Sequence, residues 1–198
     1  MAAALEAHGY LPDEGLATVI FLALRLRRPL FLEGEAGVGK TEVAKALSRW
    51  TGGPLLRLQC YEGIDLSQAA YAWDYSRQLL HLRAAEATGT AAGAEDELYT
   101  ERFLVRRPLL LALAGGDPPP VLLIDEVDRA DDEFEAFLLE FLSEYTVTIP
   151  ELGPVSAPVP PLVGEVSRRP EAGEHIRRRH RSRPATSSSA RRVRTVAR

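Results

Sequence analysis

The chain has 198 residues, 45% of them hydrophobic, enough to bury one core of ordinary size. No uncharged apolar run reaches the ~18 residues of a membrane helix, and Cys60, the only cysteine, excludes an internal disulfide or a cysteine-built metal site. The net charge of −4 hides two unlike parts: of 24 basic and 28 acidic residues, 11 Arg and four Glu fall in 151–198, so residues 1–150 carry 13 basic and 24 acidic ones.

The start, MAAALEAHGYLPDE, carries acids and no basic segment ahead of an apolar one, so no secretory signal is expected and the protein reads as soluble and cytoplasmic. In PDEGLATVIFLALRLR, Leu16, Val19, Ile20, Ala23 and Leu24 share one face, which predicts a helix with Asp13 near its start. PLFLE (29–33) is a short buried strand. Residues 39–50 return to helical spacing through Val43, Ala46 and Leu47, and Gly52-Gly53 stop them. LLRLQ (55–59) is a second strand. Asp65 with Gln68 resembles a capping box that opens one long helix through about Ala87. After a Gly/Ala/Glu loop, Pro108 begins another helix that ends at Gly115-Gly116, and PPVLLI is a third strand. Asp132 and Glu135 are expected to cap a helix with Phe134, Phe137, Leu138, Phe141 and Leu142 on one stripe. Tyr145–Ile149 alternates and, with VSAPVP, suits a hairpin. Strands separated by helices predict an α/β fold with a mostly parallel sheet.

Between the first strand and its helix lies Gly34-Glu35-Ala36-Gly37-Val38-Gly39-Lys40-Thr41, which fits G-x-x-x-x-G-K-[ST] in the context that motif requires. Glycines permit torsions that a Cβ forbids, so successive N–H groups can turn inward around phosphate oxygens, helped by the helix N-terminus. Lys40 is placed to reach the β- and γ-phosphates, and the Thr41 hydroxyl to ligate Mg²⁺. A Gly-rich structural turn is the alternative; the strand–loop–helix context argues against it. The candidate nucleotide-binding set is Gly34 through Glu42.

Val121-Leu122-Leu123-Ile124-Asp125-Glu126 is an apolar strand ending in two carboxylates. Ligands of such sheets sit at the carboxyl ends of strands, so Asp125 is expected to hold Mg²⁺ and Glu126 to orient or deprotonate a water. An ordinary acidic turn after a core strand would look the same; the upstream phosphate loop distinguishes them. The candidate catalytic residues are Glu126 and Lys40, the metal ligands Thr41 and Asp125, and the substrates and cofactors ATP and Mg²⁺. A GTPase is not expected, because the Asn-Lys-x-Asp motif is absent; a non-catalytic nucleotide-binding fragment and a small phosphotransferase using the same loop stay open as alternatives to an ATPase.

GEAGVGKTEVAKAL, LLIDEVDRADDEFEAFLLEFL and YTVTIPELG together resemble the MoxR group of AAA+ ATPases, P-loop NTPases with a three-layer αβα sandwich. LQCYEGIDLSQAAYAWDYSRQLLHLRAAEA is similar to the CoxD-type branch that accompanies carbon monoxide dehydrogenase and related molybdenum hydroxylases. The resemblance covers about residues 10–163. It implies a homo-hexameric ATPase that acts as a chaperone on a client metalloenzyme, with a partner carrying a von Willebrand A-type domain. It places Tyr61–Glu86 in an inserted element on the client side, where Tyr71, Trp73 and Tyr75 suit core or hairpin packing or client contact. It also makes Arg129 a candidate subunit-interface residue, although a solvated arginine fits as well.

After Val163 the pattern is lost. The family continues into a strand ending in Thr-Ser-Asn, then supplies an arginine to its neighbour and a helical lid. This chain contains no asparagine. The expectation is an incomplete AAA+ domain over 1–163, lacking the fifth strand and the lid and leaving sheet surface uncovered. Residues 164–198 form an Arg- and Ser-rich tail expected to be disordered, the product of a frame shift or a truncated gene. Without aromatics in that tail, nucleic acid is not an expected partner.

Overall fold

The computed structural model describes residues 1–34, 37–90, 93–168 and 192–195, with 165–168 and 192–195 described by their backbone. Its frame is a five-stranded sheet built from β1 (Leu30–Gly34), β2 (Leu55–Gln59), β5 (Val121–Asp125), β8 (Leu162–Arg168) and β9 (Arg192–Thr195). The spatial order is β2-β5-β8-β1-β9; the first four run parallel and β9 is antiparallel to β1.

The period-two alternation along each strand sorts the core into two layers. Leu30, Leu32, Val121 and Leu123 face α1 (Ala2–Ala7), α2 (Glu14–Leu26) and α3 (Lys40–Thr51), meeting Leu5, Leu16, Ile20, Val43 and Leu47. Leu58, Leu122, Ile124 and Val163 face the other way, onto α6 (Pro108–Leu113) and α7 (Asp132–Glu144) through Leu109, Leu113, Phe134, Leu138 and Phe141. The result is the expected αβα sandwich. No described helix is long and apolar enough to cross a membrane.

Helix ends follow local chemistry. Asp13 caps α2 by accepting the Leu16 N–H at 2.7 Å, and Gly52, at φ 76°, ends α3. At α7 the cap is Asp131, which accepts the Phe134 N–H at 2.9 Å, and not Asp132. Asp132 lies one residue inside, where its side chain cannot turn back onto that N–H.

Two expectations are corrected. The Asp65–Gln68 capping box is present, but its helix, α4 (Leu66–Ala69), has one turn. The next residues form β3 (Tyr71–Trp73), antiparallel to β4 (Leu104–Arg106), and Asp74 opens a new helix, α5 (Tyr75–Thr88), by accepting the Arg77 N–H. The aromatic residues gain a ladder and a buried Trp73, which packs edge-on against Tyr71 and Tyr99. Tyr75 is left exposed. The hairpin forms as expected from β6 (Thr146–Ile149) and β7 (Gly153–Ser156).

The second correction concerns the chain after Val163. The boundary expected at Gly164 falls inside β8, which β5 pairs as far as Val166 and β1 pairs from Gly164 to Arg168. A four-stranded parallel core is joined at the edge of β1 by β9, which pairs antiparallel to it. The expectation of disorder otherwise concerns residues outside those described.

Candidate functional site

The carboxyl ends of β1 and β5 bring the two sequence motifs to one edge of the sheet. Through the shared neighbour β8, Asp125 lies level with Val166 and Leu32, and Gly34 lies beside Arg168. Two inter-strand spacings separate β1 from β5, about 10 Å.

Backbone torsion shapes the phosphate-loop side. Gly37 and Gly39 adopt φ of 81° and 85°. Among the described residues, a Cβ at Gly37 would meet nothing within 4 Å, and one at Gly39 only Tyr10 Cε2 at 3.8 Å. Torsion, not crowding by the described residues, therefore calls for glycine at both positions. Glu35 and Ala36 lie outside the described residues. Gly39 is the N-cap of α3, so Lys40, Thr41 and Glu42 occupy its first turn. Lys40 Nζ donates to the Gly34 carbonyl at 2.6 Å, folding the ammonium back over the loop. Glu42 is engaged within its own helix, at 2.5 Å from Lys45 and 3.2 Å from Arg49. The hydrogen bond from Lys45 is the main reason that its carboxyl lies below the ordinary range.

Side chains shape the other side. Asp125 is 5% exposed. Its Oδ2 accepts from Arg57 Nε at 3.1 Å and from Nη2 at 2.6 Å. The same Nη2 donates to Gln59 Oε1 at 2.6 Å. Gln59 Nε2 donates to Glu126 Oε2 at 3.0 Å, where Arg129 Nε also lies at 3.2 Å. Arg129 thus meets the catalytic candidate of its own chain. Glu126 takes the left-handed conformation, φ 55° and ψ 43°, unusual for a residue with a side chain. That turn, more than strand alternation, separates its carboxylate from that of Asp125.

Arg57 and Gln59 were missed by motif reasoning. Their signal is the alternation in LLRLQ, which puts both on the face opposite Leu56 and Leu58. Parallel pairing sets Arg57 against Leu123 and Gln59 against Asp125, so both share the α3 face with the acid.

Comparison with known proteins supplies the family. The AAA domain (dynein-related subfamily) matches residues 29–183, well over half of the chain and beyond Val163. This chain is an AAA domain of that subfamily. A solved structure of a presumed ATPase from Cytophaga hutchinsonii ATCC 33406 is similar in fold, with a TM-score of 0.53 at 16% identity. The likeness covers 86% of the AAA chain and 43% of that structure, so the chain spans less than half of its neighbour's length. No curated protein matches.

AAA ATPases generally bind ATP with Mg²⁺, and the donors of this AAA domain suit that pair. Two glycines of the loop are left-handed, and the Arg57 guanidinium already sits against Asp125. Among the described residues no group of three or more His, Cys, Asp or Glu could hold a metal. A metal here needs ligands that arrive with phosphate, as Mg²⁺ at nucleotide sites does.

Proposed function

We propose that this AAA domain binds and hydrolyses ATP, as a chaperone ATPase of the MoxR type serving the maturation or activation of a molybdenum hydroxylase such as carbon monoxide dehydrogenase. One observation supports the nucleotide part above all. A left-handed glycine loop and a buried acid with its neighbouring glutamate lie at the carboxyl ends of parallel strands of a single sheet.

In this reading the N–H groups around Gly37 and Gly39 and the N-terminus of α3 receive the phosphates. Lys40 leaves the Gly34 carbonyl for the β- and γ-oxygens, a charge-assisted exchange that favours nucleotide. Thr41 and Asp125 would hold Mg²⁺, which would neutralise phosphate charge when bound. Glu126 accepts a proton from the attacking water; the hydroxide oxygen bonds to the γ-phosphorus as the bond to the bridging oxygen breaks, releasing ADP and phosphate. All of these groups lie within residues 1–168, to which we assign the nucleotide-binding unit. The client, the hexamer, the von Willebrand A-domain partner and the cytoplasmic setting rest on the family resemblance.

A second reading, a module that binds nucleotide without turnover, is favoured by the absence of any asparagine to position the attacking water. Calorimetric titration with ATP and Mg²⁺, steady-state phosphate release and a solution mass separate the two. Binding with turnover by a hexamer supports the first; binding by an inert monomer supports the second; failure to bind overturns both.

A further inference from the structure

A carboxylate as buried as Asp125 is costly without a partner, so it needs a counter-charge at every stage of a nucleotide cycle. The described structure supplies one. Arg57 directs two N–H groups onto Oδ2 alone, reaching across from the neighbouring strand. We propose that Arg57 is the resident counter-ion of Asp125 and that a divalent cation arriving with nucleotide displaces it. The proposal rests on the nucleotide reading above.

Three features suit Arg57 to leave. Its side chain is 54% exposed, so the released guanidinium meets water and strands no buried charge. Its Nη2 already has a second acceptor, Gln59 Oε1 at 2.6 Å, which keeps the displaced group tethered to the residue in register with Asp125. A divalent ion bound to the same carboxylate lies within a few ångströms of the guanidinium, where like charges repel strongly at protein-surface dielectric. Arg57 therefore sets how much free metal fills the site. It acts through Asp125 and is a positioning residue.

The sign of its effect is the test. If Arg57 merely oriented Asp125 for the metal, removing it would weaken metal binding; as a competitor, its removal tightens binding. Mn²⁺ is titrated into the full chain holding ATP, with free Mn²⁺ followed by electron paramagnetic resonance. Arg57→Gln should bind Mn²⁺ about tenfold more tightly than wild type, and Arg57→Lys, which keeps the charge, should stay near wild type. Unchanged or weaker binding in Arg57→Gln overturns the proposal. Should that variant fail to fold, the Arg57 Nε–H resonance of wild type gives the answer: it should shift when diamagnetic Mg²⁺ is added to the ATP-bound chain, as the hydrogen bond to Asp125 is lost, and a fixed resonance overturns the proposal. A wild-type chain that takes up neither ATP nor Mn²⁺ defeats the nucleotide reading, and this inference with it, whereas ATP uptake with the wrong Arg57→Gln sign defeats this inference alone.

Discussion

The phosphate loop and the acidic strand end lie two strands apart on the same sheet edge, yet they are built by different means. At the loop, Gly37 and Gly39 are marked by left-handed backbone torsions, and none of the described residues crowds them. At the acidic end, Asp125 and Glu126 are fixed by side chains, with Arg57, Gln59 and Arg129 supplying every described partner given above. A backbone-built site shows in a linear sequence because only glycine serves it. A side-chain-built site does not, because its partners come from wherever the sheet brings them; Arg57 is 68 positions from Asp125. Perturbing the two sides should therefore have different consequences.

The largest effect is expected at the acidic end. Glu126→Gln retains size and the hydrogen bond from Gln59 but cannot accept a proton from water. Turnover should fall by about 10²–10⁴-fold with ATP affinity unchanged. Single-turnover phosphate release and calorimetry measure the two separately, and undiminished turnover would move the base to another residue. At the loop, Lys40→Ala should act on affinity instead. Losing a charge-assisted contact to phosphate should cost about 1.5–3 kcal/mol, or roughly 10- to 150-fold in Kd. A variant that keeps wild-type ATP affinity would remove the nucleotide from this loop.

Gly37→Ala sharpens the contrast. A Cβ there meets no atom of the described residues within 4 Å, so the loss is expected from holding alanine at φ 81°. That strain is about 1–2 kcal/mol, seen as a lower melting temperature of the free chain. No change would mean that the loop relaxes and that its glycine serves only ligand approach.

The same division explains what could be read from the sequence. The β1, β2 and β5 strands, the phosphate loop and the acidic pair follow from apolar alternation, glycine spacing and strand-end carboxylates, all local signals. The break after Ala69 was hidden because the Asp65 cap and a helix-compatible run pointed one way, while the pairing of Tyr71–Trp73 with residues some 30 positions on pointed the other. Likewise, the continuation of β8 past Gly164 depends on two neighbours far away in sequence, which satisfy a backbone whose own residues look unlike a buried strand. Ring assembly and client leave no trace in either the loop or the strand ends.

Asp131 and Asp132 pose the contrast on a smaller scale: adjacent acids, of which geometry selects one. Asp131→Ala removes the acceptor of the Phe134 N–H and should cost about 0.5–2 kcal/mol. Asp132→Ala should cost clearly less. Chemical denaturation of both variants decides the matter, and equal losses would place the cap at neither residue alone.

The smallest effect expected is at Asp65, where side chains again tune a group that the sequence reveals only as a cap. Its carboxyl lies below the ordinary range, chiefly because the Ser67 hydroxyl donates to it at 2.6 Å, with the Gln68 and Ser67 backbone N–H groups adding to the effect. A carboxyl depressed by folding stabilises the protein above its unfolded pKa, and that contribution disappears as pH falls through the lower folded value. Ser67→Ala removes the leading cause while leaving both backbone donors in place. The Asp65 midpoint, followed by carbon-detected NMR, should rise toward the ordinary carboxylate value, and the acid-side decline in stability should become shallower. A midpoint that does not move would assign the depression to the two backbone N–H groups, making this cap, like the phosphate loop, a feature built by the backbone.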